Sequence, residues 1–421
     1  MLKAYYADYI WYDNKLQSGK WLLTEDDKIT GCADIPGSAY EQYKFENSAI
    51  YPTFINTHTH VPMNLLRGYA DDLPLHEWLN GHIWPAEKRL LCAEFVKDAC
   101  MLAAAELIRG GVSCVNDMYF FNEVEMEVFN KIGLRGVFGF PTMAKKRSEK
   151  LFDKIESLIE EYKDKPLINM SISPHAIYTA ARDVYEFAVE IVDKYGLILH
   201  THLSETEFEV ENCKKEYGKS PVEIMNEIGA FDCKSVFAHC VRLTDAEIEL
   251  MGGKKVNVAH CIQSNFKLAS GFTPAVKLMK AGANVTIATD GASSNNDLDM
   301  LSEIQTAALF HKAYSNDPTA FNAETALMTA TTNAAKALYL DNTGTLKDGY
   351  QADFMVVSYD SPHMQPVFHP VSNFIYSGQK NDITDVFVAG KQLLKDRQLT
   401  CMDEKEVLAK TKEWVKRITI I

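Results

Sequence analysis

No cysteine in this chain of 421 residues has a second cysteine three positions away, and the nine present are odd in number and scattered. That pattern excludes a disulfide framework and predicts reduced thiols in a cytoplasmic protein. No uncharged apolar run reaches the ~18 residues a membrane span requires. Asp8 and Asp13 interrupt the N-terminal stretch where an export signal needs a continuous apolar core. Glycine (22) and proline (14) are too sparse for a collagen-like or low-complexity chain, while 47% apolar residues suffice for a large core. Positive charge is in deficit, with 43 Lys and Arg against 57 Asp and Glu, a net of −14. This argues against nucleic acid or an anionic membrane as the main partner. A small-molecule substrate in a pocket, where local charges decide, remains open.

The first fifty residues hold short apolar and aromatic runs broken by Asp, Asn and Gly, such as Tyr9-Ile10-Trp11-Tyr12, and read as strands with turns. From Ile50 the texture changes. Eight strand-like runs begin at Phe54, Val112, Arg135, Ile168, Leu197, Ser235, Lys255 and Asn284. Between them lie segments with helical apolar spacing, among them Glu94–Arg109, Ser148–Tyr162, Ala181–Tyr195 and Thr273–Ala281. Eight such alternations predict a parallel (β/α)8 barrel of the TIM type. A doubly wound sheet would also alternate, but the G-x-G-x-x-G fingerprint after the first strand is missing. A helical stretch follows to about Leu340, and then Gly344-Thr345-Leu346 through Val357 and Val386-Phe387-Val388 return to short strands. The simplest architecture is an α/β chain whose residues 51–342 form the barrel. Residues 1–50 and 343–421 would join as a small β-sandwich domain with a C-terminal helix.

The strongest chemical signal is His58-Thr59-His60 at the end of the first barrel strand. Alternate residues of a strand share a face, so both imidazoles point the same way, at the barrel end where catalytic groups collect. Neutral imidazoles side by side suit a divalent transition metal. An isolated H-x-H is weak, but later strands end in kindred residues: His175, His200-Thr201-His202 followed by Glu205, His239, His260 and Asp290. Such placement on one rim points to a metal site. His200, one layer deeper than His202, and His260 read as packing residues. Glu123, Glu125 and Glu127 read as solvated charges around a helix start.

Longer motifs make the chain recognisable. Pro52-Thr53-Phe54-Ile55-Asn56-Thr57-His58-Thr59-His60, Trp84-Pro85-Ala86-Glu87, Ser173-Pro174-His175, His202-Leu203-Ser204-Glu205, Ser264-Asn265-Phe266-Lys267-Leu268 and Thr289-Asp290-Gly291-Ala292-Ser293-Ser294 resemble the amidohydrolase superfamily. The branch they resemble is that of the 5-methylthioadenosine/S-adenosylhomocysteine deaminases and the related s-triazine chlorohydrolases. The resemblance covers nearly the whole chain. It implies that His58, His60, His202 and Asp290 ligate one divalent metal per chain, Zn²⁺ first, with Fe²⁺ or Mn²⁺ as alternatives. Strand four ends Ser173-Pro174-His175, without the lysine that bridges two metals in binuclear relatives, so a single ion is implied.

The same resemblance assigns roles. Asp290 takes the proton of the attacking water, Glu205 serves as the acid for the substrate ring, and His239 hydrogen-bonds the developing oxygen. Glu87 would hold ribose hydroxyls, a task suited to a carboxylate. His175 and Ser294 would contact purine or sugar, and Arg147 would hold the carboxylate of a homocysteine tail. After strand seven the chain reads His260-Cys261-Ile262-Gln263-Ser264-Asn265, where the family pattern is His-Asn-Pro-x-Ser-Asn. The implied activity is hydrolytic deamination of an adenine nucleoside: 5'-methylthioadenosine, S-adenosylhomocysteine, 5'-deoxyadenosine or adenosine. The alternative is hydrolysis of another N-heterocycle, such as a guanine-like base, a pterin or a chlorinated triazine. A homo-oligomer is expected.

Overall fold

The computed structural model describes residues 1–147 and 150–419. Ser148 and Glu149, which open the expected helix Ser148–Tyr162, lie outside the described residues, and that helix is seen from Lys150 to Tyr162. Four strands come first: β1 (Leu2–Tyr12), β2 (Lys15–Glu25), β3 (Lys28–Ala33) and β4 (Glu41–Pro52). Eight parallel strands follow, β5 (Phe54–Thr59), β6 (Val112–Met118), β7 (Arg135–Thr142), β8 (Ile168–Pro174), β9 (Ile198–Leu203), β10 (Ser235–His239), β11 (Asn257–His260) and β12 (Asn284–Ile287). The chain ends with β13 (Phe354–Ser358), β14 (Ile383–Val388), β15 (Lys391–Lys395), β16 (Gln398–Leu399) and the helix Glu404–Thr419.

Strands β5 to β12 lie side by side in sequence order, with helices between them. Both faces of β5, β6 and β9 are buried, so none of them alternates between a core face and a solvent face as a half-exposed strand does. The ring closes between β12 and β5 through buried side chains. Thr57 Oγ1 lies 2.7 Å from Thr286 Oγ1, and Asn56 Nδ2 donates to Thr289 Oγ1 at 2.7 Å. The Asp290 N–H donates to the His58 carbonyl at 3.1 Å. Closure thus fixes the ends of the first and last strands, which carry His58 and Asp290.

The terminal segments share one mixed sheet of order β16-β15-β14-β13-β4-β1-β2-β3. Its halves meet where β13 runs antiparallel to β4, with Met355 opposite Tyr51. The sheet has a core of its own, in which Tyr5 packs edge-on against Phe354 and Phe387, themselves stacked 4.2 Å apart. A buried ion pair ties it to the barrel: Arg135, opening β7, donates to Asp353 Oδ2 at 3.0 Å. The C-terminal helix leaves this sheet and packs on the barrel helix Ala93–Arg109, where Trp414 Nε1–H donates to Asp98 Oδ2 at 2.9 Å. Among the described residues no helix is long and apolar enough to cross a membrane.

Candidate active site

The C-terminal ends of β5, β8, β9, β10 and the loop after β12 bring His58, His60, His175, His202, His239 and Asp290 to one rim of the barrel. Two of these residues sit where the backbone turns sharply. His239 has φ +70° and Asp290 φ +62°, left-handed conformations that bend the chain as the strand ends. Such geometry costs about 1–3 kcal/mol per residue and persists where the surroundings enforce it.

What each imidazole does with its Nδ1 decides what its Nε2 can do. His60 Nδ1–H donates to the Met118 carbonyl at 2.7 Å, and His202 Nδ1–H to the His175 carbonyl at 2.7 Å. His239 Nδ1–H donates to Asn265 Oδ1 at 2.8 Å. His58 Nδ1 lies 2.8 Å from His200 Nε2, a contact that supplies the same orientation when His58 is the donor. In each case the Nε2 lone pair is left facing inward. This is how ligating histidines are oriented in metal sites.

The ligand atoms of His58, His202, His239 and Asp290 all lie within 4.8 Å of one another. His60 completes the cluster, with its Nε2 3.3 Å from both His202 Nε2 and Asp290 Oδ1. His58 Nε2 is buried without a hydrogen-bond partner, although it lies 3.3 Å from Asp290 Oδ1. An orphaned imidazole nitrogen at the centre of three others and a carboxylate fits one divalent ion. Asp290 is itself held in place, since its Oδ2 accepts from Ser264 (2.6 Å) and Ser294 (3.0 Å), leaving Oδ1 toward the histidines.

Charge follows the same plan. Burial holds the His58 imidazole down to about 4 and that of His175 to about 3, and keeps His202 far below its usual range. Such histidines are neutral, the form that binds metal. Burial also opposes a charge on His60, but without a metal the hydrogen bond and charge of Asp290 carry it up to about 9, a proton that a bound cation would displace. For Asp290, burial disfavours ionisation, yet the imidazoles of His58 and His60 beside it hold its carboxyl well below the carboxylate range.

Glu205 follows β9 and is buried beside the cluster, its Oε2 3.9 Å from His239 Nε2 and its Oε1 accepting from Ser270 at 3.3 Å. Burial raises its pKa above the ordinary value, so its acid form persists to higher pH. Above these groups opens a cleft lined by Met63, Trp78, Trp84, Phe120, Tyr178 and Leu268, with Glu87, His175, Glu205, His239 and Ser294 among its polar members. Apolar walls with few convergent polar groups suit a small-molecule ligand. Glu87 is nearly buried, accepts a hydrogen bond from the Tyr119 hydroxyl, and has its pKa raised by burial. His175 is fixed through Nδ1 by Thr179 at 2.9 Å.

Arg147 does not join this site. Its guanidinium lies over the Phe187 ring at 4.3 Å and 3.5 Å from Glu190, on the outer side of the barrel wall. Ser294 reaches the cleft, but its hydroxyl is engaged with Asp290 and the Gly291 carbonyl. Two expectations for residues outside the ligand set change as well. Glu125 is fully buried rather than solvated, sharing an interior site with Asp117, and burial drives its carboxyl well above the usual range. His200 is not mere packing, because it contacts His58 directly. The structure adds Asn265, Ser264 and Tyr119 to the site. Asn265 and Ser264 belong to the motif Ser264-Asn265-Phe266-Lys267-Leu268, whereas nothing near Tyr119 in sequence marks it.

A (β/α)8 barrel with H-x-H on its first strand, histidines on the fifth and sixth and an aspartate after the eighth defines a metal-site barrel of the hydrolase type. The chain belongs to the amidohydrolase family, whose model matches residues 49–393. It is 40% identical over 409 residues to a 5-methylthioadenosine/S-adenosylhomocysteine deaminase of Aquifex aeolicus, covering 96% of this chain and 95% of that one. A 5'-deoxyadenosine deaminase of Methanopyrus kandleri is 39% identical over 378 residues, with 89% and 88% covered. Among solved structures, an adenosine deaminase from Xanthomonas campestris with bound zinc superposes with a TM-score of 0.94 at 36% identity, covering 99% of this chain and 98% of that one.

Proposed function

We propose that the chain is a metal-dependent aminohydrolase that converts an adenine nucleoside to its inosine counterpart and ammonia. The observation that carries this reading is one cleft lined by Glu205, at the metal cluster, and by Glu87, with apolar and aromatic walls between. The relatives named as nucleoside deaminases support it across nearly the full length of the chain. The ligands in this reading are His58, His60, His202 and Asp290, with His239 beside them. Zn²⁺ is the metal, since three imidazoles and one carboxylate suit it and the similar Xanthomonas structure carries zinc.

A divalent ion held there lowers the pKa of a water toward neutrality. The chain's own residues do the rest. Asp290, its carboxylate held by Ser264 and Ser294, accepts the water proton. His239, with its Nδ1–H held by Asn265, presents its Nε2 lone pair as acceptor to the O–H of the attacking water and of the oxygen that develops at the adenine C6. Glu205 protonates the ring nitrogen next to that carbon and then helps pass a proton to the departing ammonia. Glu87 holds the ribose hydroxyls, and His175 contacts the base. With Arg147 engaged elsewhere, 5'-methylthioadenosine, 5'-deoxyadenosine and adenosine fit this cleft better than S-adenosylhomocysteine. A cytoplasmic homo-oligomer belongs to the same reading, supported by the scattered, odd-numbered cysteines and by Leu309 and Tyr314, exposed on one helix.

Ammonia release from a panel of these nucleosides, guanine, a pterin and a chlorinated triazine tests the proposal. Turnover confined to adenine nucleosides is expected. Turnover of a free base, pterin or triazine in preference to every nucleoside would overturn it.

A further inference from the structure

The turn that carries Glu205 is held by a group with no assigned role. After β9 the chain bends at Ser204 with φ +50°, a left-handed conformation uncommon for serine. The bend leaves two consecutive N–H groups without a strand partner, and a single carboxylate takes both. Ser204 N–H donates to Glu209 Oε1 at 2.9 Å, and Glu205 N–H to Glu209 Oε2 at 2.8 Å. The Ser204 carbonyl in turn accepts from the Val241 and Arg242 N–H groups at 3.1 and 2.8 Å, tying the bend to the chain just past His239.

Glu209 lies in the first turn of the helix Glu207–Tyr217 and is 1% exposed. An acidic residue that only served the helix dipole would need no burial. Nor is it the cap, since the Thr206 side chain already accepts from the Glu209 N–H. Burial pushes its carboxyl up to about 7, against the two N–H bonds that favour the charged form. Placing a carboxylate there is therefore costly unless those bonds have a purpose.

We propose that Glu209 is a positioning residue, whose bidentate grip on the Ser204 and Glu205 N–H groups aims the Glu205 carboxyl at the substrate. The inference rests on Glu205 being the acid of the proposed deamination. Four variants test it: Glu209→Gln and Glu209→Ala, each alone and combined with Glu205→Gln. Glu209→Gln retains one acceptor and should lower kcat roughly tenfold, and Glu209→Ala roughly a hundredfold, with KM within about twofold and metal content unchanged. In the Glu205→Gln background the same substitutions should change kcat less than about threefold, because the group they position is already disabled. Independently of activity, amide hydrogen exchange across residues 203–206 should accelerate when Glu209 is replaced. Equal losses in both backgrounds, a KM effect without a kcat effect, or unaltered exchange would overturn the inference. Parental kcat in Glu205→Gln alone would instead overturn the acid assignment, and this inference with it.

Discussion

Glu87 offers the sharpest test of how the cleft recognises a sugar. Its carboxylate is 8% exposed, and the Tyr119 hydroxyl occupies Oε1. That leaves Oε2 for a ribose hydroxyl in the proposed complex. A hydrogen bond to a charged group contributes about 1.5–3 kcal/mol, and a buried acceptor left without its donor loses that amount in full. At about 1.4 kcal/mol per tenfold, a 2'-deoxy substrate should lose roughly 10- to 100-fold in kcat/KM. The assay follows loss of the adenine absorbance for adenosine and 2'-deoxyadenosine side by side. In Glu87→Ala the two substrates should converge to within about threefold, since neither then has the carboxylate to lose, while metal content stays at the parental value. Parental enzyme indifferent to the 2' hydroxyl, or a Glu87→Ala variant that discriminates as before, would refute the ribose assignment.

Stability makes two further predictions. Removing one partner of the buried Arg135–Asp353 pair, as in Arg135→Met, should cost about 3–5 kcal/mol in urea unfolding, because an uncompensated charge remains between barrel and sheet. A variant that unfolds with the parental midpoint would show that the pair does not join them. In metal-free protein, burial depresses the pKa values of His58, His175, His200 and His202, and their stabilising contribution is complete above the unfolded value of about 6.5. It is lost as pH falls toward 4. His60, raised to about 9, runs the other way: its contribution is complete below about 6.5 and is lost as pH rises through 9. The buried carboxyls raised by burial, Glu209 among them, run against the histidines in this window, so the test is the difference between proteins: in chelator, His175→Gln should lose less Tm than the parent between pH 6.5 and 4. An unchanged slope in the variant would contradict it.

Much of this molecule was legible before its structure, for identifiable physical reasons. Short strand-like runs recur between segments of helical apolar spacing, so β5 to β12 stood out. Strand ends collect the chemistry of a barrel, so His58, His60, His202, His239 and Asp290 could be placed on one rim from position alone. What escaped depends on partners distant in sequence. Glu125 looks like any acidic residue in a first helical turn, and only Asp117 across the barrel wall shows why it is interior. The site of Arg147 depends on whether its long side chain turns inward or out, and the Phe187 ring and Glu190 settle that from another helix. The His200 contact requires knowing that β5 and β9 face each other across the barrel, at a depth that the H-x-H spacing does not specify.

The central claim is that one divalent ion, held by the histidine–aspartate cluster, enables nucleoside deamination. Its most direct test is to strip the protein with chelator, restore Zn²⁺ in steps, and measure bound metal and ammonia release from 5'-methylthioadenosine or adenosine on the same samples. Activity should be absent from the stripped protein and rise in proportion to bound zinc, reaching its plateau at one ion per chain. Full ammonia release by metal-free protein, or a plateau reached only at two ions per chain, would contradict it.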